Sequence, residues 1–162
     1  MIKIIIFDVD GTLTDGKIYI GNSGEAFKAF SVKDGYAITK ILPQNQITPI
    51  ILTARNSKIV QQRCQELGIK NCIQGCSDKQ LALTSIAKQF NISCDEQGVF
   101  KEIAYMGDDI PDETCMKKCG LTGCPSDAVD SVKTIANYVT TKLGGAGAAR
   151  EFVEWVIEQN YE

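Results

Sequence analysis

The sequence predicts a three-layer, Rossmann-like α/β domain, in which a parallel sheet is covered by helices on both faces. Three observations carry that expectation. Continuous apolar runs such as Ile4-Ile5-Ile6-Phe7 and Ile50-Ile51-Leu52 have the length and branching of strands buried on both sides. Between them lie stretches whose apolar residues recur with helical period. The two kinds alternate along all 162 residues, with no internal repeat, linker or low-complexity tract. One domain over residues 1–162 fits that length and can enclose a sizeable core.

Residues 3–9 read as the first and central strand. Residues 14–31 hold two β-prone runs, Lys17–Ile20 and Ala26–Phe30, around Asn22-Ser23-Gly24, which predicts an inserted β-hairpin. A helix over about Lys33–Leu42 follows, stopped by Pro43. Thr48–Leu52 is the second buried strand, with Thr53-Ala54-Arg55-Asn56 at its tip. Ile59, Val60, Cys64 and Leu67 mark one face of a helix ended by Gly68. Asn71–Ile73 is a short strand, and Asp78 begins a helix with the stripe Ala82, Leu83, Ile86, Ala87 and Phe90. Ile103–Met106 runs into Gly107-Asp108-Asp109, and Pro111 opens a helix to about Lys118. Leu121–Gly123 and Tyr138–Thr140 complete the sheet. Gly144, Gly145 and Gly147 precede a last helix with Phe152, Val153, Val156 and Ile157 inward. The hairpin is too short to be a lid, so no cap domain is expected.

Composition narrows the chemistry. Apolar residues make up 44% and charged ones 23%, as in ordinary globular proteins. The net charge of −3 comes without a basic block, which argues against nucleic acid and acidic membrane surfaces as partners. No apolar run approaches the roughly 20 residues of a membrane span, and residues 1–9 are no signal peptide, so a cytoplasmic protein is expected. Seven cysteines form no CxxC pair, and free buried thiols fit better than disulfides or zinc. There is no histidine, which removes Ser-His-Asp and Cys-His catalysis and His-ligated metals together. Any chemistry rests on carboxylates, Lys, Arg, hydroxyls and a hard metal ion.

Four predicted strand tips carry such groups. Asp8 and Asp10 alternate with Val9, so both project to one side of the first strand's end. A polar turn is the plain reading of Asp-Gly; two acids before it suit phosphoryl chemistry. Asp8 is then the nucleophile that forms an aspartyl-phosphate. Asp10 protonates the leaving alkoxide and later deprotonates water, with its acidity weakened by the charges of Asp8 and phosphate. Thr53, Ala54, Arg55 and Asn56 offer a hydroxyl and main-chain N–H groups as a phosphate cradle, although Asn56 or Ser57 could simply cap a helix. Arg55 reaches past the phosphate to an anionic part of the substrate. Lys79, at a helix start, can pair with the nucleophile and phosphate. Asp108, Asp109 and Asp112 put three acids in five residues, which repel unless a cation is bound. Mg²⁺ suits oxygen ligands from Asp8, the main-chain carbonyl of Asp10, and Asp108, with Asp109 and Asp112 orienting water or Lys79.

In this order, Asp8-Val9-Asp10-Gly11-Thr12, Thr53, Lys79 and Gly107-Asp108-Asp109-Ile110-Pro111-Asp112 resemble the four motifs of the haloacid dehalogenase superfamily of phosphatases. Asp10 matches its hydrolases, whereas its ion-pumping ATPases carry a hydroxyl residue there. Asp15-Gly16, the Gly21–Gly24 turn, Phe30-Ser31-Val32-Lys33-Asp34-Gly35, Gly75 and Gly144-Gly145-Ala146-Gly147-Ala148-Ala149-Arg150-Glu151 look like its capless subgroup. That subgroup contains phosphatases of 3-deoxy-D-manno-octulosonate 8-phosphate and of nonulosonate (sialic-acid type) 9-phosphates. The resemblance implies a small-molecule sugar-acid phosphate as substrate, most of all the octulosonate ester. It also implies Mg²⁺, Lys33 and Asp34 as substrate contacts, and Arg63 as a further anion contact. A homotetramer is implied as well, whose hairpins build a central barrel and whose neighbouring subunits close each site. Arg55 matches the octulosonate enzymes, while Ala146 replaces an Arg common in the Gly-Gly-Arg-Gly form. A similar module occurs fused to sialic-acid cytidylyltransferases, where motif residues can be degraded and the domain mainly assembles tetramers, so a non-catalytic tetramerisation module is the alternative. Here all four are intact, which favours an enzyme. A phosphomutase would have to exclude water, and no lid is expected here.

Overall fold

The computed structural model describes residues 1–161. A six-stranded sheet has the order β5-β4-β1-β6-β7-β8, and each neighbouring pair is parallel. Its strands are β1 (Ile4–Phe7), β4 (Thr48–Leu52), β5 (Asn71–Ile73), β6 (Phe100–Met106), β7 (Cys119–Cys124) and β8 (Tyr138–Val139). As predicted, β1 is central. The hairpin β2 (Tyr19–Gly21) and β3 (Gly24–Phe27) forms a separate antiparallel pair.

Every residue of β1 is inaccessible to solvent, and the side chains divide by strand period. Ile5 and Phe7 join Val60, Cys64, Phe152, Val153 and Val156, from α3 (Lys58–Glu66) and α7 (Ala148–Tyr161). Ile4 and Ile6 face the other way, onto Leu83 and Ile86 of α4 (Lys79–Gln89), Cys115 of α5 (Ile110–Met116) and Val132 of α6 (Asp130–Ile135). Each such side chain contributes roughly 1.5–3 kcal/mol through burial, so both helical layers are held to the sheet by apolar contact.

The structure differs from expectation in three places. Pro43 does not stop its helix: α1 (Val32–Tyr36) continues through a π-helical turn (Ala37–Ile41) into α2 (Leu42–Gln44). Leu42 donates its N–H to the Ala37 carbonyl, five residues back, and this wider turn precedes the residue that lacks a donor and crowds a normal one. The chain then leaves through Gln46 at φ 58°. Helix α6 was not expected; it has six residues, no side-chain cap and one buried residue, Val132. The hairpin strands close nearer the turn than predicted, with Gly21 paired to Gly24 and a register irregularity beside Tyr19.

Parallel register brings the tips together. Phe7 lies opposite both Ile51 and Met106, and Leu52 lies opposite Ile73. Asp8, Thr53 and Gly107-Asp108 therefore leave the sheet at neighbouring points along its carboxyl edge, where open α/β sheets hold ligands.

Candidate active site

A cleft of about 150 Å³ opens at that edge. It is lined by Asp8, Asp10, Thr53, Ala54, Arg55, Lys79, Asp108, Asp109, Pro111 and Asp112. With liquid water at about 30 Å³ per molecule, it has room for a phosphoryl group with an ion, but a longer substrate must extend beyond it.

The loops are fixed to one another. The Gly75 N–H donates to the Arg55 carbonyl and the Cys76 N–H to the Thr53 carbonyl, each at 3.2 Å, tying the loop after β5 to the one after β4. Asp78 then caps α4 by accepting the Leu81 N–H, which sets Lys79 on the first turn.

Lys79 is buried, and its Nζ donates to Asp8 Oδ1 and Asp112 Oδ1, both at 2.7 Å. Burial opposes its charge, but the two carboxylates outweigh that and hold its pKa above the usual lysine value. Asp112 is fully engaged. Its Oδ1 also accepts from Tyr105 Oη at 2.7 Å, and its Oδ2 accepts the N–H groups of Asp108 and Asp109 at 3.0 and 3.3 Å. Asp109 and Asp112 together form the capping box of α5. Asp112 thus orients Lys79 and the Asp108 loop.

Asp8, Asp108 and Asp112 each offer an oxygen within 4.8 Å of the others. Asp8 gives one oxygen to Lys79, and Asp108 gives one to Thr12 Oγ1 at 3.0 Å, so each keeps another to share, which Asp112 does not. Burial, then the Asp112 charge, pushes Asp8 up to about 6 against the pull of Lys79. Burial, then Asp8 and Asp112, pushes Asp108 up to about 8. Three acids against one lysine leave an excess of negative charge in a hard, all-oxygen site. A divalent cation fits that donor set.

Two glycines allow this approach. A Cβ on Gly11, where φ is 95°, would lie 2.0 Å from Asp108 Oδ2. One on Gly107 would lie 2.4 Å from the Asp112 carboxyl carbon.

Asp10 sits at the mouth. Its Oδ1 accepts from Lys28 Nζ at 2.5 Å, and its Oδ2 lies 4.0 Å from Arg55 Nε. Arg55 is half exposed and free to meet a ligand. Asn56 is exposed beside Gly75, outside the cleft lining.

The other sequence-derived contacts lie elsewhere in the protomer. Asp34 is buried and accepts the N–H groups of Gly147 and Arg150, which anchors the start of α7. Lys33 is exposed on α1. Arg63 lies over the Phe30 ring at 5.6 Å and pairs with Glu66 at 2.9 Å. None of the three lines the cleft. Conversely, sequence reading gave no role to Thr12, Lys28 or Tyr105. Tyr105 left a signal, since a tyrosine inside a buried strand needs a partner for its hydroxyl. Lys28 left none, because charges on a hairpin look like a solvated face.

A buried carboxylate paired with lysine, a second acid two residues on, and an acidic loop opposite have the arrangement of a haloacid dehalogenase-type hydrolase site on a capless fold. Proteins similar to this chain fall in that class. No protein-family model matches the chain. A Legionella pneumophila structure assigned to subfamily IIIA of the haloacid dehalogenase superfamily hydrolases superposes with TM-score 0.89 at 36% identity, covering 98% of this chain and 84% of that one. The 3-deoxy-D-manno-octulosonate 8-phosphate phosphatase of Salmonella typhi is 41% identical over 156 residues, 96% of this chain and 79% of the relative. The corresponding phosphatase of Moraxella catarrhalis, solved with magnesium, phosphate and KDO, superposes with TM-score 0.88 at 37% identity, covering 97% of this chain and 86% of that one. The chain belongs to the 3-deoxy-D-manno-octulosonate 8-phosphate phosphatase family, whose members are phosphoric monoester hydrolases.

Proposed function

We propose that this chain is a Mg²⁺-dependent phosphatase acting on 3-deoxy-D-manno-octulosonate 8-phosphate through an aspartyl-phosphate on Asp8. The observation that carries the reading is the buried Lys79 held between Asp8 and Asp112 beside Asp108, with Asp10 at the mouth. The magnesium, phosphate and KDO named for the Moraxella catarrhalis enzyme support the same choice of ligands here.

Asp8 and Asp108, with the Asp10 main-chain carbonyl, would hold the ion. When bound, Mg²⁺ neutralises charge on the nucleophile and the phosphoryl oxygens. Lys79 orients Asp8 and meets the transferring phosphoryl group, and Thr53 with the N–H groups of Ala54 and Arg55 cradles it. An Asp8 oxygen bonds to phosphorus as the ester bond breaks, and the leaving alkoxide takes a proton from Asp10. Asp10 then accepts a proton from the water that attacks phosphorus and releases Asp8. Arg55, half exposed beyond Asp10, meets the substrate carboxylate.

The same reading includes a homotetramer. Ile18, Ile20 and Phe27 on the hairpin are exposed, and β2–β3 lies outside the main sheet, which leaves an apolar ribbon to be covered by other copies. A cytoplasmic setting suits the seven free thiols. None of the described helices is long and apolar enough to cross a membrane.

Phosphate release from a panel of sugar-acid phosphates, with Mg²⁺ and with chelator, tests the function. Preferred Mg²⁺-dependent release from the octulosonate ester supports it. Preference for a nonulosonate 9-phosphate overturns the substrate, and no release from any ester by an intact tetramer points to a scaffold.

A further inference from the structure

From Asp15 to Ala29 the one buried residue is a lysine. The Lys28 side chain is 1% exposed, whereas Phe27 and Ile20 on the same hairpin are 53% and 76% exposed. Burying an ammonium group is costly unless it is paired, and an apolar side chain would anchor a hairpin more cheaply. Lys28 is paired twice. Its Nζ donates to Asp10 Oδ1 at 2.5 Å and to Glu25 Oε1 at 2.9 Å. Glu25 Oε2 in turn accepts from Ser57 Oγ, and Ser57 caps α3 at the end of the Thr53–Asn56 loop.

Resting on the function proposed above, we propose that Lys28 is the positioning residue of the acid–base group. It engages Asp10 Oδ1, so that Oδ2 is the oxygen that carries the proton. Glu25 and Ser57 fix Lys28, so the inserted hairpin sets the geometry of proton transfer as well as offering a surface for other copies. In the first half-reaction an Asp8 oxygen bonds to phosphorus as the bridging P–O bond breaks. The electron pair stays on the departing sugar oxygen, and the proton moves to it from Asp10 Oδ2. Lys28 keeps its own proton throughout.

This role is distinguishable from that of a structural anchor. A sugar alkoxide needs protonation to leave, whereas p-nitrophenolate does not. Leaving-group release is followed in single turnovers, before Asp10 acts a second time. Lys28→Met should slow release from octulosonate 8-phosphate on the order of a hundredfold, the scale at which a displaced acid–base group is felt. Release of p-nitrophenol from its phosphate, which also reports that the variant is folded, should stay at the wild-type rate. Lys28→Arg should recover most of the loss. Glu25→Gln, which frees Lys28 without removing it, should show a smaller loss with the same selectivity. Equal slowing of both esters in Lys28→Met and Glu25→Gln, or slowing of neither, would overturn the proposal. Wild-type turnover of octulosonate 8-phosphate tests the function separately. If it is absent, the alkyl phosphate that wild type does hydrolyse replaces it in the same comparison.

Discussion

Replacing Lys79 with Met separates the charge logic of this site from simple packing. The methionine keeps much of the side chain's bulk but removes the cation that Asp8 and Asp112 share at 2.7 Å each. Both carboxylates are buried, and taking one partner from a buried pair costs about 3–5 kcal/mol, because the remaining charge is left uncompensated. For a chain of this size 1 kcal/mol moves Tm by about 2–4 °C, so the metal-free variant should melt roughly 6–20 °C below wild type. Mg²⁺ behaves in the opposite sense. With the lysine gone, Asp8 and Asp108 present more negative charge, so the variant should bind Mg²⁺ at least as tightly and regain part of its Tm when the ion is added. Turnover should nevertheless fall on the order of 10³-fold, the upper end of what one electrostatic donor contributes. Melting curves with chelator and with Mg²⁺, alongside phosphate release, read all three effects. A variant that melts with wild type, or loses Mg²⁺ affinity in step with activity, would show that Lys79 is not the cation compensating Asp8 and Asp112.

Other consequences follow from the same geometry. Asp8 and Asp108 are raised, to about 6 and about 8, so each adds stability below the ordinary carboxylate pKa and loses it as pH rises through the folded value. Chelated protein should lose stability from pH 4 to 9, with Asp8 accounting for on the order of 3 kcal/mol, and Mg²⁺ should flatten the curve in urea titrations. Gly11→Ala places a Cβ 2.0 Å from Asp108 Oδ2, and should raise the Mg²⁺ needed for half-activation roughly 10–100-fold, measured by metal titration of activity. Arg55→Ala should raise KM for the octulosonate ester roughly 10–100-fold, while p-nitrophenyl phosphate, which lacks the carboxylate, is turned over as before. Ile20→Asp puts a charge on the hairpin's most exposed large apolar side chain, and should shift the proposed tetramer to smaller species in sedimentation.

Legibility from sequence followed periodicity. β1 and β4 could be read because fully buried parallel strands leave unbroken apolar runs, and their tips could be placed because a strand alternates sides every residue. That sufficed for Asp8, Asp10, Thr53 and Asp108, which the structure gathers into one cleft. Helix α6 escaped because one buried valine in six residues makes no period. Pro43 misled because its penalty was absorbed by a widened turn just before it. Asp34 shows a different limit: the resemblance implies a substrate contact there, while within this protomer its carboxylate accepts main-chain N–H groups 113 and 116 residues away, which no local pattern records. Lys28 escaped for the same reason, since its partner Asp10 is 18 residues distant and no local pattern records such a pairing.

In the proposed mechanism Asp8 becomes phosphorylated during each turnover. Mixing the protein with octulosonate 8-phosphate and Mg²⁺, then quenching with borohydride, reduces an acyl-phosphate to an alcohol and leaves homoserine where aspartate stood. Peptide mass spectrometry should find homoserine at position 8 in the wild-type chain and none after Asp8→Asn. Phosphate release that proceeds with no modification at Asp8, or that survives Asp8→Asn, would rule out an aspartyl-phosphate on Asp8.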